Sequence, residues 1–277
     1  MSAKITKTAI LYAVNKEVMV EFYQVKRGNY SVELDLNKLF DADQLSLFSS
    51  RYKTIAAQDA DFKALTSLRD GFFRYESETL LPLIGEGFKP KVFIVYGNPA
   101  THSVRNGMFF FSKSGDKFHR SGIWGKLAKA GLVAPVRSRI KDNYEARLKE
   151  ANIRKLMILS GASSTCFLVG VTTFYSLPTP ASESSYSGVA GVEKLFKPAL
   201  KEIAKAEVKR IQSYPFTDGA TIVFTQKSSY EMYCKLTDTE PEFWPIRGKG
   251  SGGDKLAKLL ADSHHIPSEK DRWTSSE

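Results

Sequence analysis

Apolar and polar residues along this chain follow two different periods. Lys91–Tyr96 (KVFIVY) is a short, dense run of β-branched and aromatic residues, the pattern of a strand buried on both faces. Thr165–Tyr175 and Ala220–Thr225 hold two more such runs. Around them the spacing turns helical. Trp124, Leu127 and Ala128 mark a helix around Ile123–Leu132, and further helices are expected over Asn143–Leu159, Ser228–Leu236 and Asp254–Leu260. Over residues 192–211, Val192, Leu195, Phe196, Ala199, Leu200 and Ile203 recur at three- and four-residue steps. Pro198 either kinks that helix or marks its true first turn. The Lys/Arg run from Lys194 to Arg210 reads as its solvated face. Strands alternating with helices predict a sheet covered on both faces, with a site at the carboxyl ends of the strands.

The first 85 residues read differently. Ile10–Val14 and Val18–Gln24 flank a turn at Asn15-Lys16, and Tyr30–Leu36 follows Arg27-Gly28-Asn29, so the start is β-rich. From Asp41 to about Ile84 the spacing suggests helices, first through Leu45, Leu47, Phe48 and Tyr52, then through Leu65, Leu68, Phe72, Phe73, Leu80 and Leu81. The expected division is an N-terminal extension over 1–60, a main domain over 61–262 and a polar tail over 263–277.

Composition narrows the class. With 277 residues, 42% hydrophobic and 25% charged, the chain has the make-up of a globular protein with a full core. Cys166 and Cys234 read as small core residues, too few for a four-cysteine zinc or iron–sulfur site, and suit a reduced, intracellular setting. No apolar stretch approaches the roughly 18 residues of a membrane span, and Met1–Lys7 lacks the apolar core of a signal peptide. The formal charge of +10 favours a polyanionic partner, of which nucleic acid is the usual one.

Chemistry concentrates after Tyr96. Gly97-Asn98-Pro99-Ala100 cannot continue a strand, and a polar loop is expected next. Asn106-Gly107 and Phe110 follow, then a helix from near Ser121 through Trp124 that ends Ala130-Gly131-Leu132. This ordered set resembles motif 1 of the uracil-DNA glycosylase superfamily, nearest the mismatch-specific uracil and thymine type. Ala220–Leu236 resembles the family's strand–helix unit ahead of motif 2, and Phe243–Leu256 (FWPIRGKGSGGDKL) stands where motif 2 belongs. The resemblance covers roughly residues 68–262 and gives residues 1–60 no counterpart. It implies an α/β fold, a three-layer α/β/α sandwich with a central, mostly parallel four-stranded sheet, here with an N-terminal β-rich extension.

The implied activity is hydrolysis of the N-glycosidic bond of a flipped uracil or other deaminated or mismatched base, with no metal and no cofactor. Such an enzyme holds a water below C1′ and stabilises the departing base anion. Carried onto this chain, Asn98 positions the water through its side-chain carbonyl. Phe110 stacks on the base, and the backbone around Gly97, Pro99 and Ala100 lines the base pocket. Strict uracil enzymes carry Tyr where Ala100 stands, so the pocket here is expected to be broader. The motif 2 His is missing from Pro245–Gly253, and Val171-Thr172-Thr173-Phe174 replaces the Asn that reads uracil. Expected DNA contacts are His102, Arg105, Asn106, Arg247, Lys249, Gly250 and Ser251, with the glycines allowing close backbone approach. His102 has a second reading, as a residue that holds the catalytic loop. The expected partner is double-stranded DNA with a flipped base, or single-stranded DNA, bound by a monomer. Two alternatives stand beside this reading: a catalytically silent DNA-binding member of the same fold, and an enzyme of free nucleosides or nucleotides. Plainer readings stay open too. Asn98 before Pro suits a simple turn, at least one of Phe109, Phe110 and Phe111 belongs to a core, and residues 248–253 suit a connector.

Overall fold

A computed structural model describes residues 20–25, 29–82, 89–109, 111–114, 117–120, 122–134, 144–180 and 184–264. Strand β1 (Val20–Val25) pairs antiparallel with β2 (Asn29–Asp35), where Tyr30, Val32 and Leu34 turn inward and Ser31 and Glu33 outward. The expected strand at Ile10–Val14 lies outside the described residues. Asp35 caps the short helix α1 (Leu36–Leu39). Asp41 and Gln44 form a capping box that starts α2 (Ala42–Gln58), and Asp59 caps α3 (Ala60–Leu65).

The helix expected from Leu65 to Leu81 is instead a β-hairpin, β3 (Thr66–Arg69) and β4 (Phe72–Glu78). Its turn is Asp70-Gly71, with φ of 51° and 79°. An Asp-Gly pair in the left-handed region makes the tight turn whose twist matches that of its strands. Apolar residues at 68, 73 and 75 fit a strand period as well as a helical one, and the turn decides between them. The N-terminal sheet runs β1-β2-β4-β3, all antiparallel.

The main sheet is built from β5 (Lys91–Tyr96), β8 (Leu168–Thr173), β9 (Ala220–Phe224) and β10 (Glu242–Phe243), in spatial order β10-β9-β5-β8 and all parallel. Between β5 and β8 come α4 (Thr101–Asn106), the hairpin β6 (Phe111–Ser114) and β7 (Lys117–Arg120), then α5 (Gly122–Lys129) and α6 (Tyr144–Leu159). The expected polar loop after Ala100 is therefore a helix. The pattern over 192–211 divides into α7 (Gly188–Leu195), a 3-10 turn at Lys197–Ala199, and α8 (Leu200–Ser213). Pro198 sits in that turn and marks a start rather than a kink. Helices α9 (Lys227–Thr237) and α10 (Gly253–His264) complete the fold. No helix among the described residues is long and apolar enough to cross a membrane.

Alternation along β5 creates the layers. Phe93 and Val95 face one core with Phe174, Phe224, α7 and α8. Val92, Ile94 and Tyr96 face the other, with Trp124 and Leu127 of α5, Ile158 of α6 and Leu256 of α10. This is the three-layer α/β/α arrangement. The N-terminal region adds to the first core, since Val32, Phe73 and Tyr75 of its sheet and Phe48 of α2 belong to the same cluster as Phe93. Leu80 stitches the two sheets together: its N–H donates to Val171 O at 2.8 Å and its carbonyl accepts from Val171 N–H at 2.7 Å. Cys166 is exposed rather than in a core, and Cys234 is half-buried.

Charge is buried too. Arg210, fully enclosed on α8, donates to Glu207 Oε2 at 2.6 Å, Thr172 Oγ1 at 3.1 Å, Tyr214 Oη at 2.7 Å, and the carbonyls of Thr173 at 2.5 Å and Phe174 at 3.1 Å. Glu207 Oε1 accepts from the N–H of Ser176 at 2.7 Å and from its hydroxyl. Arg210 inside the protein corrects the expectation of a wholly solvated basic face. A second buried carboxylate, Glu78, lies 3.8 Å from Lys155 Nζ. Burial lifts the Glu78 carboxyl to about 7, and Lys155 opposes the rise.

Removing one partner from a buried pair leaves an uncompensated charge, which costs about 3–5 kcal/mol. Arg210→Met should therefore lower unfolding stability by about that much, and Glu207→Gln added to it should restore part of the loss, as read by urea denaturation. Glu78 holds its proton to higher pH folded than unfolded. Its contribution is greatest below 4.5 and declines as pH rises to about 7. A pH series of urea midpoints should show that decline, and Glu78→Gln should flatten it.

Candidate functional site

In the central sheet, β5 connects onward to β8 on one side while β9 connects to β10 on the other. Chains leaving β5 and β9 thus diverge, and in open α/β sheets that divergence is where the ligand crevice lies. Gly97–Ala100 leads out of β5 there, and Thr225-Gln226 leads out of β9.

The loop after β5 stays laced to the segment after β8. Phe174 N–H donates to Tyr96 O at 2.6 Å, Tyr175 N–H to Gly97 O at 2.9 Å and Thr179 N–H to Pro99 O at 3.0 Å, while Thr101 N–H donates to Thr179 O at 2.9 Å. On the other flank Thr225 N–H donates to Val95 O at 3.0 Å. A Cβ on Gly97 would lie 2.5 Å from Val189 Cγ2 and 3.3 Å from Gln226 Cγ, so α7 and the start of α9 close over a position that only glycine fills without a shift.

Asn98 is half-buried, and its amide orientation is fixed. Nδ2 donates to Thr179 Oγ1 at 2.7 Å, Pro99 O at 3.1 Å and Leu177 O at 3.3 Å. Two of these acceptors are carbonyls that cannot donate, so the nitrogen must face them. Oδ1 is left as the acceptor end of the side chain. Thr179 in turn donates to Gly188 O, the first residue of α7, at 3.3 Å. Asn98, Thr179 and α7 form one hydrogen-bonded chain.

The other expected residues fall as follows. Pro99 is buried and Ala100 half-buried, the latter bridged to Thr179. Thr101, at the start of α4, donates to Asp59 Oδ2 at 3.0 Å, so the N-terminal region braces the loop directly. His102 is buried, a position suited to holding the loop. Arg105 is exposed. The Asn106 amide is used at both ends, donating to His102 O at 2.7 Å and accepting from Tyr144 Oη at 3.1 Å. Phe110 lies outside the described residues, whereas Phe109 is buried with Val92 and Ile94.

The glycine-rich loop reaches the same end of the sheet. Trp244 N–H donates to Phe224 O at 2.9 Å and Ile246 N–H to Thr225 O at 3.3 Å. Its base is closed by Trp244 Nε1 donating to Gly252 O at 3.2 Å. Lys126 of α5 ties both sides of it, donating to Ile246 O at 2.8 Å and to Ser251 Oγ at 3.2 Å. Arg247, Gly248, Lys249 and Gly250 form the exposed tip, with φ of 82° at Gly248 and 90° at Gly250.

Sequence reasoning missed Thr179 and Lys126, because neither stands in a motif and both act through contacts distant along the chain. It also missed two hydroxyls. Thr173 Oγ1, at the carboxyl end of β8, and Tyr175 Oη are buried with no hydrogen-bond partner among the described residues. Burial and the carboxylates of Glu193 and Glu207 raise the Tyr175 hydroxyl well above its usual range, so it stays protonated as a donor. Among the described residues, no three His, Cys, Asp or Glu side chains converge as a metal site requires. A separate cavity of about 470 Å³, lined by residues that include Glu33, Thr66, Arg74 and Glu76, takes none of its lining from the central sheet.

If Thr179 sets the Asn98 rotamer, Thr179→Val should reduce any turnover that depends on Asn98 by about tenfold or more, and Thr179→Ser should restore most of it. Thermal unfolding measured beside turnover separates loss of positioning from loss of folding. Searches against protein-family models and against curated proteins find no match to this chain.

Proposed function

We propose that this protein is a monomeric DNA glycosylase that hydrolyses the N-glycosidic bond of a flipped uracil or another deaminated or mismatched base, without metal or cofactor, wherever the cell keeps its DNA. The observation that carries this reading is Asn98. It stands at the divergence of the central sheet with its amide nitrogen committed to Pro99, Leu177 and Thr179. Its carbonyl oxygen is the end that accepts from a water.

The step this arrangement supports is displacement at C1′. As the bond to the base lengthens, the sugar takes on positive charge and the base negative charge. A water held on Oδ1 attacks C1′, the bonding pair leaves with the base, and the proton shed by the water is taken up by the departing base anion. Amide oxygen is no general base, so the gain comes from holding the water and from electrostatics, and the enzyme is expected to be slow. The buried hydroxyls of Thr173 and Tyr175 supply donors at the same end of the sheet, where a base anion would otherwise lack partners. Arg247 and Lys249, raised on a tip closed by Trp244 and Lys126, fit phosphates of the bound duplex.

A specific observation keeps a silent DNA-binding role as the second reading. Thr172, where the family's base-reading strand ends, is engaged by Arg210 inside the protein, and Pro245–Gly253 contains no His. Incubation with oligonucleotides carrying one uracil, thymine mismatch, hypoxanthine or xanthine, followed by alkali, decides between the readings. The expected result is strand scission at one or more of these lesions, lost by about 100-fold or more in Asn98→Ala. Duplex binding with no scission by the wild type would select the silent role. Base release from free nucleosides alone would select the nucleoside enzyme, and full activity in Asn98→Ala would remove the catalytic assignment.

A further inference from the structure

We propose that the outer face of α8 is a rail for the phosphate backbone of duplex DNA, separate from the crevice and from the glycine-rich tip. The proposal rests on the reading that the substrate is DNA. Lys201, Lys205 and Lys209 are exposed at successive four-residue steps, one inclined row on the helix surface. They span about 12 Å at about 1.5 Å per residue. Lys197, exposed on the 3-10 turn just ahead, adds a fourth cation at the leading end.

Acidic side chains do little to neutralise this row. From Gly188 to Ser213 the acids are Glu193, Glu202 and Glu207. Glu207 is buried against Arg210, and Glu202 reaches Lys205 only at 4.0 Å between half-exposed groups. A helix face that is merely solvated commonly interleaves both signs evenly, whereas here three exposed lysines share a single half-exposed carboxylate, Glu202. The row is also held rigidly. The opposite face buries Ile203, Ala204, Val208 and Ile211, and Arg210 is locked to the end of β8. The charges are therefore presented without ordering a flexible segment first.

The placement suits a substrate engaged at the crevice. A right-handed crossover from β8 to β9 returns its helix from the carboxyl toward the amino ends of the strands. Near the end of α8, the Arg210 guanidinium reaches Thr172–Phe174 at the carboxyl end of β8. Earlier turns, with Lys201 and Lys205, therefore lie nearer the carboxyl ends of the strands, the end at which Gly97–Ala100 leaves β5. Duplex DNA carries one charge per ~1.7 Å of axis, so a row of this length meets several phosphates.

The test uses the full chain and an undamaged duplex of about 25 base pairs, with affinity read by fluorescence anisotropy from 50 to 200 mM salt. Replacing Lys197, Lys201, Lys205 and Lys209 together with Gln keeps helix propensity and removes charge. Affinity near 100 mM salt should fall by tenfold or more, and the slope of log affinity against log salt should become shallower by about 2–4, at about 0.9 per lost phosphate contact. The matching Lys→Arg variant should keep the wild-type slope, which shows that charge and not folding is read. Single-turnover excision at saturating lesion duplex should be unchanged in the Gln variant. Equal affinity and slope for wild type and Gln variant would overturn the rail, even if the wild type excises bases. A reduced slope in the Gln variant of a protein that excises nothing would keep the rail and overturn the glycosylase reading. A wild type that binds no duplex would overturn both.

Discussion

A guanidinium shut away from water governs how this molecule is put together. Arg210 has lost its hydration and must replace it with oriented acceptors. It finds a carboxylate on its own helix, two hydroxyls, and the carbonyls of Thr173 and Phe174. The two carbonyls matter most for architecture. They belong to residues where β8 ends and regular pairing would stop, so the cation fixes the direction in which the chain leaves the sheet. Glu207 completes the arrangement by accepting from the Ser176 N–H, and Tyr75 of the N-terminal sheet meets the Ser176 hydroxyl at 2.7 Å. One ion pair thus joins three layers of structure at the exit of one strand.

That exit is what holds the candidate site. Residues 174–179, set by Arg210 and Glu207, carry the N–H groups that bind Tyr96, Gly97 and Pro99. Thr179 at the end of the segment orients the Asn98 amide. The order of dependence runs from a buried charge to a strand exit, to a laced loop, to one side-chain rotamer. On the opposite flank Asp59 both caps α3 and accepts from Thr101, so the N-terminal region buttresses the same loop. With the shared core around Phe48, Phe73 and Phe93, it is part of the scaffold that positions Asn98 rather than an appendage to it.

What the sequence disclosed follows from which forces are local. The runs at Lys91–Tyr96, Thr165–Tyr175 and Ala220–Thr225 announced β5, β8 and β9, because a strand buried on both faces needs an unbroken apolar stretch. The loop at Gly97–Ala100 was legible because Gly and Pro cannot continue a strand. Residues 65–81 were misread because Leu68, Phe73 and Tyr75 satisfy either period, and the deciding signal was the smaller one, Asp70-Gly71. The two-residue strand β10 was too short to have a pattern at all. Thr179, Lys126 and Arg210 were opaque for another reason. Each acts on a backbone group far away in sequence, and in the chain itself each looks like an ordinary polar residue on a loop or a helix.

The distribution of charge sharpens the comparison between scaffold and site. Formal charge is +10, and two groups among the cations differ in their physics. Arg147, Arg154 and Arg210 are buried beside Glu150 and Glu207, where a planar, always-charged group can satisfy several acceptors at once. Lysines such as Lys201, Lys205 and Lys209 stay outside, as strongly hydrated point charges on flexible stems. Buried arginines therefore spend their charge on geometry, and surface lysines leave theirs free for long-range attraction. In the loop after β5 the side chain held by this network is Asn98. Asn98 there is neutral, and so are the hydroxyls of Thr173 and Tyr175. A neutral dipole bears on a bound group only through where it is held. That is why a side chain as plain as Thr179, and behind it a buried ion pair, decides how Asn98 is presented.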